Sequence, residues 1–178
     1  QTIGQARGRY TIGFWHWEQP QLPVPLLQAF AHVDEVWVPS TFVQDAVAAV
    51  SPVPVFKVPH ALELTVTPGV QRSQFGLPQG RLLVLVMYDF DSYQHRKNPQ
   101  AAIAAYRKAA RQCPELQLVV KTINSQRHAH AYAELRATVQ DLPHVRFIDE
   151  FLTRQQTWDL QSCCDILLSL HRAEGFGL

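Results

Sequence analysis

Residues 81–99 read RLLVLVMYDFDSYQHRKNP, and this stretch decides the fold. Arg81 to Tyr88 is almost continuously apolar, the pattern of a strand covered on both faces rather than one alternating between core and water. A polar loop, Asp89 to Lys97, follows. Asn98 is placed to cap a helix with Pro99 at its first position, where a missing N–H costs nothing. That helix is expected to reach about Cys113, with Ile103, Tyr106 and Ala110 on one face.

The same alternation extends to both sides. Downstream, Leu116 to Thr122 reads as a strand, His128 to Asp141 as a helix with Tyr132, Leu135 and Val139 on one face, and Val145 to Ile148 as a short strand. Thr153 can cap a helix carrying Trp158, and Asp165 to Leu170 is a last apolar strand ending in the loop HRAEGFGL. Upstream, Glu63 to Gly80 holds two prolines and three glycines and reads as a linker or hinge. Before it, Val53 to Val58 and Asp34 to Pro39 have strand character, and Ser40 is a natural N-cap for a helix through Val50. The opening segment GFWHWEQPQLPVP is an aromatic loop too rich in proline for a long helix, with a short helix around Leu26 to Ala31. Alternating strands and helices imply an α/β architecture of Rossmann-like parallel sheets with right-handed crossovers. Ligands of such sheets sit beyond the carboxyl ends of the strands.

Composition narrows the function. Sixteen basic and fifteen acidic residues among 178 leave a net charge of +1, with 47% hydrophobic side chains. A charge so near zero gives no reason to expect nucleic-acid or anionic-membrane binding. The longest apolar run, Leu82 to Met87, is far short of the ~20 residues that span a bilayer. No apolar signal-peptide core is visible in the sequence as it stands. Cys113, Cys163 and Cys164 suit neither a disulfide framework nor a zinc site, so a reducing, cytoplasmic setting is the expectation. No HExxH, GxGxxG, P-loop or GxSxG motif occurs.

Two charged loops leave strand ends: Asp89 to Lys97 and His171 to Leu178. Arg96 and Lys97, just before a helix N-terminus, suit a phosphate; they read equally as two solvated cations. Lys121, near the end of the next strand, adds a third cation or is a plain surface lysine. Asp89-Phe-Asp91 spells a pattern that can hold a divalent metal on a diphosphate, a tripeptide that also arises often by chance. Glu174 can accept hydrogen bonds from sugar hydroxyls or cap the helix expected after it. Trp15 and Trp17, with Glu18 beside them, can stack on and bind a saccharide, or form a small hydrophobic cluster under a loop.

Taken together, GFWHWE, VDEVWVPSTFVQDA, VFKVPH, the FDS-plus-RKNP loop, LVVKT and SLHRAEGFGL resemble a glycosyltransferase of the family 4 type, which has two facing Rossmann-like domains (the GT-B fold). The resemblance implies that residues 1–65 are the end of the acceptor-side domain, 66–80 a hinge, and 81–178 the front of a donor-binding domain. It implies transfer of a hexose from a nucleotide sugar to a saccharide or other acceptor hydroxyl with retained configuration, with neither metal nor cofactor. Lys97 and Lys121 fall on the family's basic pair for the diphosphate, and Glu174 on the first glutamate of its paired motif. Arg96, Asn98, His171, Gly175, Phe176, Gly177 and Leu178 fall on the donor side, and Trp15, Trp17 and Glu18 on the acceptor side. The family's Gly-Arg after the first donor-domain strand is absent here, Asp89 and Asp91 standing near that place with Arg96 as its substitute. The second glutamate would lie beyond Leu178, so the chain reads as a fragment. Two other readings stay open: a metal-dependent transferase built on Asp89 and Asp91, and a non-catalytic nucleotide-sugar-binding or scaffolding module.

Overall fold

The computed structural model describes residues 8–176. They form two compact units, residues 8–62 together with 173–176, and Glu63–Arg172.

In the first unit, strands β1 (Ile12–Phe14), β2 (Glu35–Val38) and β3 (Val55–Lys57) form a parallel sheet in that order. A 3-10 helix, Val24–His32, and helix α1, Thr41–Ala48, cover one face. Phe30, Val36, Val38, Val43 and Val47 form the core between them. Ser40 caps α1 as expected, its hydroxyl accepting from the Val43 N–H at 3.3 Å. β1 lies inside what the sequence presents as an aromatic loop. It carries a glycine at its centre and so lacks the alternating apolar signal of a strand. That glycine is required, since a Cβ on Gly13 would stand 2.5 Å from the Trp15 indole nitrogen.

In the second unit, β4 (Leu82–Asp89), β5 (Leu116–Ile123), β6 (Val145–Asp149) and β7 (Ile166–Leu167) are all parallel, in the spatial order β6-β5-β4-β7. A short helix α2 (Gln94–Lys97) leads into α3 (Pro99–Ala110), and α4 (Ala129–Ala137) and α5 (Arg154–Cys163) follow β5 and β6. Ala102, Ile103 and Tyr106 of α3 and Leu135 of α4 pack with Val84, Val86, Leu118 and Val120 on one face. Leu160 of α5 packs with Leu83, Leu85 and Val119 on the other. Thr153 and Gln156 form a complete capping box at the start of α5. The strand order therefore runs outward from β4 through β5 to β6 and then returns to β7 on the opposite side. The order reverses between β4 and β7, the place where open α/β sheets bind ligands.

Three expectations need correction. The last strand is two residues long, not six, because only Ile166 and Leu167 find register partners, Val84 and Leu85, at an edge. Residues 66–80 are not a free linker. Leu77 is buried in the second unit's core, the Thr67 N–H and hydroxyl both donate to Asp159 at 2.8 and 2.7 Å, and the Arg72 guanidinium donates to the carbonyls of Cys163 and Arg81 and pairs with Asp165. Residues 173–176 belong with the first unit rather than with the donor-side sheet. Proline and glycine content marks 66–80 as irregular but does not say which surface takes it up.

Candidate functional site

The carboxyl ends of β4 and β7 carry the two charged loops, and the second unit stitches them into one corner. Asn98 donates its amide to the Leu170 carbonyl at 3.0 Å. The Arg172 backbone N–H donates to the Arg96 carbonyl at 2.8 Å. Its guanidinium donates to the His95 carbonyl at 3.1 Å and to Asn98 Oδ1 at 3.3 Å. The segments carrying His95, Arg96 and Lys97 and carrying His171 and Arg172 thus meet at the switch point of the sheet.

Asn98 does not cap α3 with its side chain. It adopts a left-handed backbone, φ 51°, which turns the chain sharply between α2 and α3 and frees its amide for the 170–172 loop. An asparagine tolerates that conformation better than most residues. Arg172 is the residue of this corner that the sequence did not single out. Its neighbours His171 and Glu174 drew attention by chemistry, whereas its role is to reach across to β4's loop.

Arg96 is 6% exposed and Lys121 5%, so neither is a solvated surface cation. Lys121 lies in register between Met87 and Ile148. Its ammonium donates to the carbonyls of Thr122 and Glu150 at 2.8 and 2.7 Å. Burial pushes this lysine below its ordinary range, while the carboxylates of Asp149, Glu150 and Asp89 pull the other way. Two of its three donors are spent on backbone, so Lys121 ties β5 to the chain leaving β6. Lys97, at the end of α2, is half-buried.

The Asp-x-Asp pair is engaged in the fold. Asp89 Oδ1 accepts from the Asp91 N–H at 2.9 Å and from the Asn124 amide at 2.7 Å. Asp91 pairs with the Arg127 guanidinium and, at 2.9 Å, with His128 Nε2. A carboxylate bonded to a guanidinium and an imidazole is a poor metal ligand, and the surroundings fit loop fastening rather than a divalent cation. Among the described residues no group of three or more His, Cys, Asp or Glu side chains could hold a metal ion.

The first unit holds the other half of the expected residues. Trp15 and Trp17 are half-buried against its core, Trp15 facing the Phe30 ring at 4.8 Å. Trp17 donates its indole N–H to the Gln21 carbonyl at 2.9 Å. The two rings therefore form the hydrophobic cluster under the loop, and their buried surface anchors the segment carrying Glu18. Glu174, Gly175 and Phe176 are in this unit. The Ser40 hydroxyl, besides capping α1, donates to the Gly175 carbonyl at 2.5 Å, and a Cβ on Gly175 would stand 2.6 Å from the Trp17 carbonyl oxygen. Only glycine fits there. Near it, His16 and His60 stack with their Nε2 atoms 2.7 Å apart, so that one imidazole donates to the other, and Phe176 sets its edge against His60. Gly177 and Leu178 lie outside the described residues.

Among the described residues no helix is long and apolar enough to cross a membrane. The three cysteines are free, and burial pushes the Cys164 thiol up to about 12, which makes it inert.

Rossmann-like units built on parallel sheets are the fold of GT-B glycosyltransferases. TarM matches 95% of this chain with a TM-score of 0.68 at 10% identity, over 33% of its own length. The pneumococcal O-GlcNAc transferase GtfA, in complex with UDP and GlcNAc, matches 94% at 0.59 and 12% identity, over 34% of its length. A UDP-forming α,α-trehalose-phosphate synthase from Burkholderia xenovorans matches 94% at 0.62 and 14% identity, over 49% of its length. At such identities the likeness is one of fold, and the chain spans a third to a half of these proteins. No family model and no curated protein matches the sequence.

Proposed function

We propose that this chain is part of a glycosyltransferase that moves a hexose from a nucleotide sugar to a saccharide or other acceptor hydroxyl, with retention and without a metal. The observation that carries the proposal is the basic corner at the switch point of the second unit, where Arg172 and Asn98 join the 95–98 turn to the 170–172 loop. The proteins that share the fold support it in kind: a TarM variant from S. aureus was crystallised with UDP and α-GlcNAc-glycerol, and GtfA with UDP and GlcNAc. The family 4 assignment rests on the order of the sequence motifs.

Chemically, the burden of the reaction is negative charge growing on the departing diphosphate. Cations fixed before substrate arrives stabilise that charge with little reorganisation. Lys97 is the first candidate for the diphosphate, with Arg96, Asn98 and His171 completing the corner. Lys121, the other member of the basic pair, acts from below by holding the ends of β5 and β6. Glu174 is assigned to the donor sugar, Gly175 to Leu178 to the donor phosphates, and Glu18 to the acceptor, on a loop anchored by Trp15 and Trp17. The commitment of Asp89 and Asp91 to Asn124, Arg127 and His128 favours cationic rather than metal stabilisation.

Calorimetric titration with UDP-, GDP- and ADP-sugars tests the reading. Binding of one of them, unaffected by EDTA and lost in Lys97→Ala, is the expected result. Binding that requires a divalent cation would support the Asp89/Asp91 reading, and no binding to any of the three would leave a scaffolding module.

A further inference from the structure

We infer that Asp91 is a positioning residue that presets the 92–98 turn for an anion by clamping its entrance to the segment after β5; this rests on the donor-site reading above. The turn is continuous hydrogen-bonded structure. The Ser92 N–H donates to the Asp89 carbonyl, the Arg96 and Lys97 N–H groups both donate to the Tyr93 carbonyl, and the Asn98 N–H donates to the Gln94 carbonyl. The Gln94 amide, in turn, donates to the carbonyls of Phe90 and Ser92 at 3.2 Å each. Such a unit moves as one piece, so its placement depends on its two ends.

The far end is fixed by Asn98 and Arg172, as described. The near end is fixed by Asp89 on Asn124 and by Asp91 on Arg127 and His128. Phe90 between them is 1% exposed and packs against the rings of His128, just before α4, and Tyr132 within it. Asn124 has a left-handed backbone, φ 66°, which turns residues 125–128 back towards Asp91. Each Asp91 oxygen has its own partner, so the carboxylate spans two side chains of the neighbouring segment. A hydrogen bond between ionised partners is stronger than a neutral one, which suits a clamp at an exposed rim. The Asp-x-Asp motif that sequence reading offers for a metal thus has a mechanical role, in which its first carboxylate shapes the loop and its second fastens it.

The test is made in the full chain with UDP as probe, together with hydrogen exchange of the 92–98 amides. Asp91→Ala and the Arg127→Ala/His128→Ala pair are each expected to weaken UDP binding about twofold to fivefold, the effect of losing exposed ion pairs. Because they break the same clamp, all three changes together should cost no more than either alone, whereas independent sites multiply. Asp91→Glu, which keeps the carboxylate, should recover most of the affinity, and the 92–98 amides should exchange faster in the Asp91→Ala chain and in the Arg127→Ala/His128→Ala chain, but not in Asp91→Glu. Multiplying losses, or unchanged exchange in Asp91→Ala, would overturn the clamp. If the unaltered chain binds none of UDP, GDP or ADP, the donor-site reading fails, and the exchange experiment still decides whether Asp91 holds the turn.

Discussion

Replacing Arg172 by alanine separates positioning from charge at the switch-point corner. The side chain makes two hydrogen bonds, to the His95 carbonyl at 3.1 Å and to Asn98 Oδ1 at 3.3 Å. Both are solvent-exposed, so each is worth about 0.5–1 kcal/mol. The backbone bond from Arg172 to the Arg96 carbonyl and the Asn98–Leu170 bond both survive the change. Losing about 1–2 kcal/mol of local order lowers the ratio of preset to open corner by roughly fivefold to thirtyfold, and ligand affinity falls by up to the same factor. Global stability should hardly move, because opening an exposed corner leaves the core intact, so the melting temperature should shift by less than about 3 °C. Arg172→Lys keeps the charge without the planar fork that reaches two acceptors, and should resemble the alanine variant. The assay is calorimetric titration with UDP beside a thermal melt. Unchanged affinity in Arg172→Ala, or full affinity in Arg172→Lys beside a weak alanine variant, would refute positioning by the fork.

Two further predictions concern the second unit's stability. The Tyr88 hydroxyl is buried with no hydrogen-bond partner among the described residues, and burial pushes its ionisation above the ordinary tyrosine range; Tyr88→Phe keeps the ring packed 5.1 Å from Phe90 and should stabilise the fold by about 1 kcal/mol. A loss of stability in a thermal or urea melt would show that the hydroxyl has a partner, such as a bound water. Asp159 is held below the usual carboxylate range by the Thr67 backbone N–H first, and then by the Thr67 hydroxyl and the Gln155 amide. Because its folded-state value is lowered, this anchor is at full strength above the unfolded carboxyl value of about 3.9 and is lost as pH falls through the folded one. Proteolytic cleavage within 63–80 should therefore stay slow from neutral pH down to about pH 5 and accelerate only in stronger acid. Acceleration already near pH 6, or an unchanged profile in Asp159→Asn, would contradict the assignment.

The sequence by itself determined most of the strand and helix plan, though not β1 or the length of β7. Arg81 to Tyr88 is apolar at almost every position because both faces of β4 are covered, and Ser40 and Thr153 mark helix starts because their hydroxyls satisfy first-turn N–H groups. It also pointed to the two charged loops at the carboxyl ends of the strands, which the structure joins by hydrogen bonds. Tertiary structure alone decided which side chains meet there. Whether Arg96 and Lys121 face solvent or lie buried depends on which face of the sheet their neighbours cover. Whether Asp91 meets a metal or Arg127 depends on a left-handed turn at Asn124, which no pattern in the sequence announces. Arg172 reaches Asn98 only because the last strand returns beside β4. Local spacing encodes backbone periodicity over a few residues, whereas these contacts join positions some 36 to 74 apart along the chain, and only the closing of the sheet brings them within a hydrogen bond.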